Sequence, residues 1–205
     1  MGRFLTAQTL PSKLILTDDP LRLKMLAAHH MDNVRPLFEN HGMAGYTGTY
    51  RGQALAAIAC GFGEAAAMRC ASEAYALGTR TFLYIGECTA LSPYLKLMDV
   101  LTAAGGNKHL QKKAQTAAKQ KNIPLPTERV YTNDTYRSDK TAPNGYIAVD
   151  FATAGFYRAV TSLGGEALSV LTVSENAATG EQAENCVRQS RFHEAALLAF
   201  EILAL

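Results

Sequence analysis

The stretch Lys13-Leu14-Ile15-Leu16-Thr17-Asp18-Asp19-Pro20-Leu21-Arg22 decides the fold class. Four residues of apolar strand run into an Asp-Asp-Pro step that suits a helix start: an acid at the N-cap and proline in the first turn. The helix is expected to continue to about His30. A short buried strand feeding directly into a helix is the opening half of a β/α unit.

The same alternation recurs outward from it. Tyr46–Tyr50 and Ala54–Cys60 read as two strands joined at Arg51-Gly52-Gln53, and Gly61-Phe62-Gly63 leads into an alanine-rich helix from Glu64 to Leu77 with Gly78 behind it. Strands are expected at Thr81–Ile85, Asp99–Ala103, Thr127–Tyr131, Ile147–Val149 and Ala167–Val173. Helices are expected at Leu110–Gln120, Ala152–Leu163 and Glu181–Leu205. The last is apolar nearly all round over Ala195–Phe200, the mark of a helix deep in a core or against another subunit. The pattern predicts one domain over residues 1–205: an α/β/α sandwich on a mixed, largely parallel sheet. In such sheets ligands sit at the carboxyl ends of strands. That selects Leu16-Thr17-Asp18, Cys60 to Gly63, Ile85-Gly86-Glu87 and Val173-Ser174-Glu175.

Composition narrows the function classes. Twenty Lys and Arg against eighteen Asp and Glu give a net charge of +2, too balanced for a nucleic-acid binder. The lysines at 108, 112, 113, 119 and 121 are expected to form a solvated helix face. No run is long enough to span a bilayer, and Met1–Thr6 opens no signal peptide. Cys60, Cys70, Cys88 and Cys186 have no Cys-x-x-Cys spacing and read as buried thiols of a cytoplasmic protein. His29, His30 and His109 lack metal-ligand spacing, His193 is expected at a surface or interface, Gly61-Phe62-Gly63 lacks the third glycine of a dinucleotide fingerprint, and Ser174 lies in no nucleophile elbow. No metal or organic cofactor is expected.

The strand ends carry a resemblance. Asp19-Pro20-Leu21-Arg22, Gly42-Met43-Ala44-Gly45-Tyr46-Thr47-Gly48-Thr49-Tyr50-Arg51-Gly52, Gly61-Phe62-Gly63, Ile85-Gly86-Glu87-Cys88, Lys96-Leu97-Met98-Asp99-Val100 and Ala167–Ser174 followed by Glu175 resemble, in order, the bacterial hexameric purine nucleoside phosphorylases of the nucleoside phosphorylase family. The resemblance implies a three-layer sandwich, self-association into dimers or hexamers, and phosphate attack on the anomeric carbon of a purine-type nucleoside. It implies an acid at Glu175 that protonates the leaving base, Arg188 assisting it, and Tyr136 stacking on the base, a contact worth about 1–3 kcal/mol. Phe151 and Ala152 fall on the sugar-binding stretch. Arg22, Asp18, His41, Tyr84 and Glu87 fall on the phosphate-binding positions.

The chain departs from that pattern at the sugar and phosphate ends. Ala152 stands where the family has a ribose-binding glutamate, and Asp150, two residues earlier, cannot simply replace it. Asp18 stands for a glycine, His41 and Tyr84 for two arginines, and Glu87 for a serine. A charge-assisted hydrogen bond is worth about 1.5–3 kcal/mol. Two lost arginines and two added carboxylates should therefore cost more than about a thousandfold in phosphate affinity. Arg22 is then expected to pair with Asp18 or Glu87. Two segments of the family pattern, between Gly106 and Leu110 and between Lys140 and Gly145, are shortened. The sequence leaves three readings open: a purine nucleoside phosphorylase with an impaired anion site, a water-using nucleoside hydrolase, and a catalytically silent member that binds a nucleoside or base.

Overall fold

A computed structural model describes residues 5–40, 43–135, 142–184 and 192–205. Among them the chain runs β1 (Lys13–Thr17), α1 (Pro20–His30), β2 (Asp32–Asn40), β3 (Met43–Tyr50), β4 (Gln53–Ala59), α2 (Glu64–Ala76), β5 (Thr81–Ala90), β6 (Val100–Ala103), α3 (Lys108–Lys121), β7 (Thr127–Glu128), β8 (Val130–Thr132), β9 (Ala148–Asp150), α4 (Thr153–Ser162), β10 (Glu166–Asn176), β11 (Glu181–Gln182) and α5 (His193–Ala204).

All the strands share one sheet, whose main path is β2-β3-β4-β1-β5-β10-β6-β7. The four central strands β4, β1, β5 and β10 run parallel, and the flanking β3 and β6 run antiparallel to them. The mixed sheet with a parallel centre is the one the alternating pattern predicts. Side chains alternate across it. Leu14 and Leu16 of β1 join Ala56, Ile58, Phe82, Tyr84 and Phe156 in one core, while Ile15 joins Ala57, Leu83, Ile85, Leu110, Leu198 and Phe200 in the other. Helices α2 and α4 pack together over the first face, and α1, α3 and α5 cover the second.

Two expectations change. Strand β2 was not legible as a strand: most of its residues are exposed, and it contains Pro36, which an edge strand tolerates. The last helix starts at His193 rather than Glu181. Residues 181–182 form a strand that folds back on β10, pairing Gln182 with Glu175 and Glu181 with Asn176. Of the two settings expected for the apolar stretch of the last helix, the structure shows the core: Ala195, Ala196, Leu198, Ala199, Phe200, Ile202 and Leu203 all lie in the second core. No second subunit is needed to explain it.

At its far end α5 carries a buried acid. Glu201 is 1% exposed, and one carboxylate oxygen receives hydrogen bonds from Tyr50 Oη (2.9 Å), Arg51 Nη2 (2.7 Å) and Lys121 Nζ (2.7 Å). This ties α5 to the β3–β4 turn and to the end of α3. Cys60, Cys70 and Cys88 are buried free thiols, as the spacing predicted, while Cys186 lies outside the described residues. No helix among the described residues is long and apolar enough to cross a membrane.

Candidate functional site

The parallel strands bring Thr17, Ala59, Ile85 and Val170 to one level, so the turns that follow β1 and β4 open on the same edge as the extended ends of β5 and β10. Strand β1 ends at Thr17, and Asp19 caps α1 by accepting from the Leu21 N–H at 2.7 Å, with Pro20 at the first helical position. That start places Arg22 one turn later, at i+4 from Asp18. Its guanidinium turns back over the strand ends.

Arg22 is spoken for by carboxylates. Nη1 meets Asp18 Oδ1 at 2.5 Å, and Nη2 meets Glu87 Oε1 at 2.7 Å. Thr17 Oγ1 lies 3.3 Å from Nη1, and the Phe192 ring lies 4.2 Å from the guanidinium carbon. The Arg22 side chain is 2% exposed, Asp18 5% and Glu87 12%. Burial and the neighbouring Glu87 push the Asp18 carboxyl above its ordinary pKa, against the pull of Arg22. Burial presses the Arg22 value down, but Asp18 and Glu87 outweigh it and hold the guanidinium firmly protonated. With both acids ionised the cluster carries a net charge of −1.

Of the other residues expected at the phosphate end, Tyr84 does not join it. Tyr84 is 3% exposed in the core of the α2/α4 face, its ring 5.7 Å from that of Phe156. It also lies over Gly86, where any Cβ would overlap the ring. Burial, then Asp18, raise its phenol pKa well above the usual value. His41 lies outside the described residues.

The two helices of the α2/α4 face begin at this edge, and each N-terminus already holds an acid. Asp134 accepts from the Glu64 N–H at 3.0 Å, fitting against Gly63 (φ +95°), where a Cβ would overlap its carboxylate. Asp150 is 1% exposed and accepts from Thr153 N–H (2.8 Å), Ala152 N–H (3.3 Å) and Thr132 Oγ1 (2.6 Å). Burial raises its pKa while these donors oppose the rise. Asp150 is thus the cap of α4, which explains why it does not stand in for the missing ribose glutamate. Ala152 is buried beside it, and Phe151 is 43% exposed.

Glu175 sits where β10 bulges. Val173 pairs with Cys88 and Glu175 with Thr89, so Ser174 is the extra residue. Such an insertion re-aims the side chains around it. Thr89 also pairs with Val149 of β9, so Glu175 and Val149 flank one β5 residue, about 10 Å apart at two strand spacings. The Glu175 carboxylate accepts from Gln182 Nε2 at 2.7 Å. Its expected helper Arg188 and the expected stacking residue Tyr136 both lie outside the described residues. The structure therefore gathers Arg22, Asp18 and Glu87, and keeps Tyr84 in the core. Phe192 and Asp134 were not singled out from the sequence. Phe192 carries no motif, and Asp134 acts on a helix 70 residues away.

No protein-family profile matches the chain. Individual relatives do. It is 30% identical to the purine nucleoside phosphorylase DeoD-type of Bacillus subtilis (strain 168) over 207 residues, 88% of this chain and 89% of that protein. It is 29% identical to the enzymes of the same name from Aliivibrio salmonicida (strain LFI1238) and Geobacillus kaustophilus (strain HTA426). Each of those matches covers 92% of this chain and 91% of the relative. Near-complete coverage on both sides leaves no room for a shared fragment, and the chain belongs to the DeoD-type purine nucleoside phosphorylase family.

Proposed function

We propose that the protein binds a purine-type nucleoside or its base at the carboxyl edge of the sheet without efficient phosphorolysis of the N-glycosidic bond. The ligand class rests on the family. The loss of phosphorolysis rests on one observation: the guanidinium of Arg22 is held between Asp18 and Glu87. For phosphate to attack the anomeric carbon, Arg22 has to hold the dianion there. At an effective dielectric of 20, like charges about 4 Å apart repel by about 4 kcal/mol. That exceeds the roughly 1.5–3 kcal/mol an arginine–phosphate hydrogen bond returns. In this reading Glu175, assisted by Arg188, faces the purine, Tyr136 stacks on it, Phe151 and Ala152 line the sugar side, and His41 and Tyr84 no longer serve phosphate.

A second reading keeps bond cleavage with water as nucleophile. It is supported by the two carboxylates at the strand ends, Asp18 and Glu87, since a carboxylate can take a proton from an attacking water. The proposal places the protein in the cytoplasm and includes self-association into dimers or hexamers. Since α5 is covered within the chain, self-association rests on the family alone, and light scattering at micromolar concentration tests it.

The deciding experiment is base release from inosine and adenosine at high protein concentration, with and without phosphate, beside calorimetric titration with the same nucleosides and with purines. Binding with no release is the expected result. Release that requires phosphate overturns the proposal, and release that ignores phosphate establishes the hydrolytic reading in its place. Absence of both binding and release removes the nucleoside from the account.

A further inference from the structure

Of the four helices among the described residues that start around this edge, α1, α2 and α4 each have an N-terminus occupied by an aspartate of the chain. For the fourth, α5, the described residues supply no such acid. It begins at His193 behind Phe192, and no side chain among the described residues caps it. The first intrahelical bond runs from Ala196 N–H to Phe192 C=O, so the amides of His193, Glu194 and Ala195 precede the helical ladder. These three residues line a cleft of about 470 Å³ whose other walls are Met98, Val100, Thr172 and Phe192.

A second, independent feature lies on the same wall, where Thr172 lines the cleft. Thr172 is 1% exposed, and its hydroxyl has no hydrogen-bond partner among the described residues. A buried hydroxyl without a partner costs free energy, about 1–3 kcal/mol. Thr172 is the β10 partner of Glu87 on β5, so the cleft lies beside the Arg22 cluster. Phe192, which covers Arg22, lines it as well.

The chemistry of the walls selects a ligand. A helix N-terminus favours an anion. A threonine hydroxyl donates a hydrogen bond to a carboxylate oxygen. Met98, Val100 and Phe192 offer apolar surface that a fully hydrated inorganic ion cannot use. We propose that this cleft binds a small organic monocarboxylate, its carboxylate on the α5 amides and the Thr172 hydroxyl, its apolar body against Met98, Val100 and Phe192. Glu194 works against it, because its own carboxylate shares the first turn of α5 with the ligand, and so does the net −1 Arg22–Asp18–Glu87 cluster beside the cleft, so the affinity expected is weak. The site is separate from the proposed nucleoside function and survives that function's failure.

The test is NMR titration of the whole protein carrying ¹³C-methyl methionine, with benzoate as probe, benzamide as its neutral counterpart and inorganic phosphate as an anion without an apolar body. Benzoate is expected to shift the Met98 methyl saturably, with benzamide and phosphate each at least about tenfold weaker. Thr172→Val keeps the side-chain shape and should weaken benzoate by about three- to tenfold. Glu194→Gln should tighten it by about two- to fivefold. Benzoate leaving Met98 unmoved, benzamide or phosphate matching benzoate, or Thr172→Val binding as the parent does would each overturn the proposal. Circular dichroism of both variants confirms that they fold.

Discussion

Buried charge is handled in opposite ways at the two ends of α5. Near its start, one guanidinium, Arg22, lies between two carboxylates, and the three side chains are 12% exposed or less. At its end, one carboxylate, Glu201, draws on Tyr50, Arg51 and Lys121, and Arg51 is 56% exposed. The Glu201 partners can return to water when the acid is removed; Asp18 cannot when Arg22 is removed. The Glu201 end fastens a helix and leaves cations at the surface. The Arg22 end keeps its cation buried between two acids, and with both ionised the three groups carry a net charge of −1. Comparing the two separates a charge cluster that fastens a helix from one that, in the proposed function, also keeps phosphate from the edge of the sheet.

The largest effect is expected from Arg22→Met, which leaves the Asp18 carboxylate buried without its cation. Removing one partner of a buried pair costs about 3–5 kcal/mol, and a lowered urea midpoint at neutral pH measures it. A loss below about 1 kcal/mol would mean that water already reaches the cluster. Glu201→Gln should cost less, about 1–2 kcal/mol, since Arg51 and Lys121 regain solvation. Equal losses in the two variants would erase the distinction between the ends.

A smaller effect separates them by pH. Burial above all raises the folded pKa of Asp18 above 3.8. The folded state then binds its proton more tightly than the unfolded chain, so ionising Asp18 costs stability as pH rises through that folded value. Burial also pulls Glu201 upward, but hydrogen bonds from Lys121 and Tyr50 and the nearby cations outweigh it and lower its pKa below 4.5. Its contribution is complete above 4.5 and disappears as pH falls through the folded value. Asp18→Asn should therefore steepen the acid-side loss of stability relative to the parent, and Glu201→Gln should flatten it. Urea midpoints between about pH 7 and pH 3 read both slopes. Parallel profiles for the two variants would contradict these assignments.

Much of this was legible beforehand, for physical reasons that differ by region. Period-2 burial at Leu14, Ile15 and Leu16 and the Asp19-Pro20 start expose the β/α repeat directly, because local geometry and local sequence agree there. The Arg22–Asp18 pair follows from i,i+4 spacing once the helix start is placed. Glu87 joins only through the parallel register of β1 and β5, which spacing does not reveal, though the family resemblance does. Glu181 and Gln182 fall in the stretch expected as helix because Glu181 onward has no strong strand pattern, and what makes them a strand is pairing with β10. The capping of α2 by Asp134 and the cleft at the start of α5 depend on which distant segments meet, and no local window contains that information.

The most direct test of the proposal that Asp18 and Glu87 keep phosphate from Arg22 is calorimetric titration with phosphate of the parent and of the Asp18→Gly/Glu87→Ser variant, which removes both carboxylates from Arg22. The account predicts that phosphate binds the variant more than about tenfold tighter than the parent, one charge-assisted contact regained at Arg22. Tight binding to the parent, or no gain in a folded variant, would contradict it.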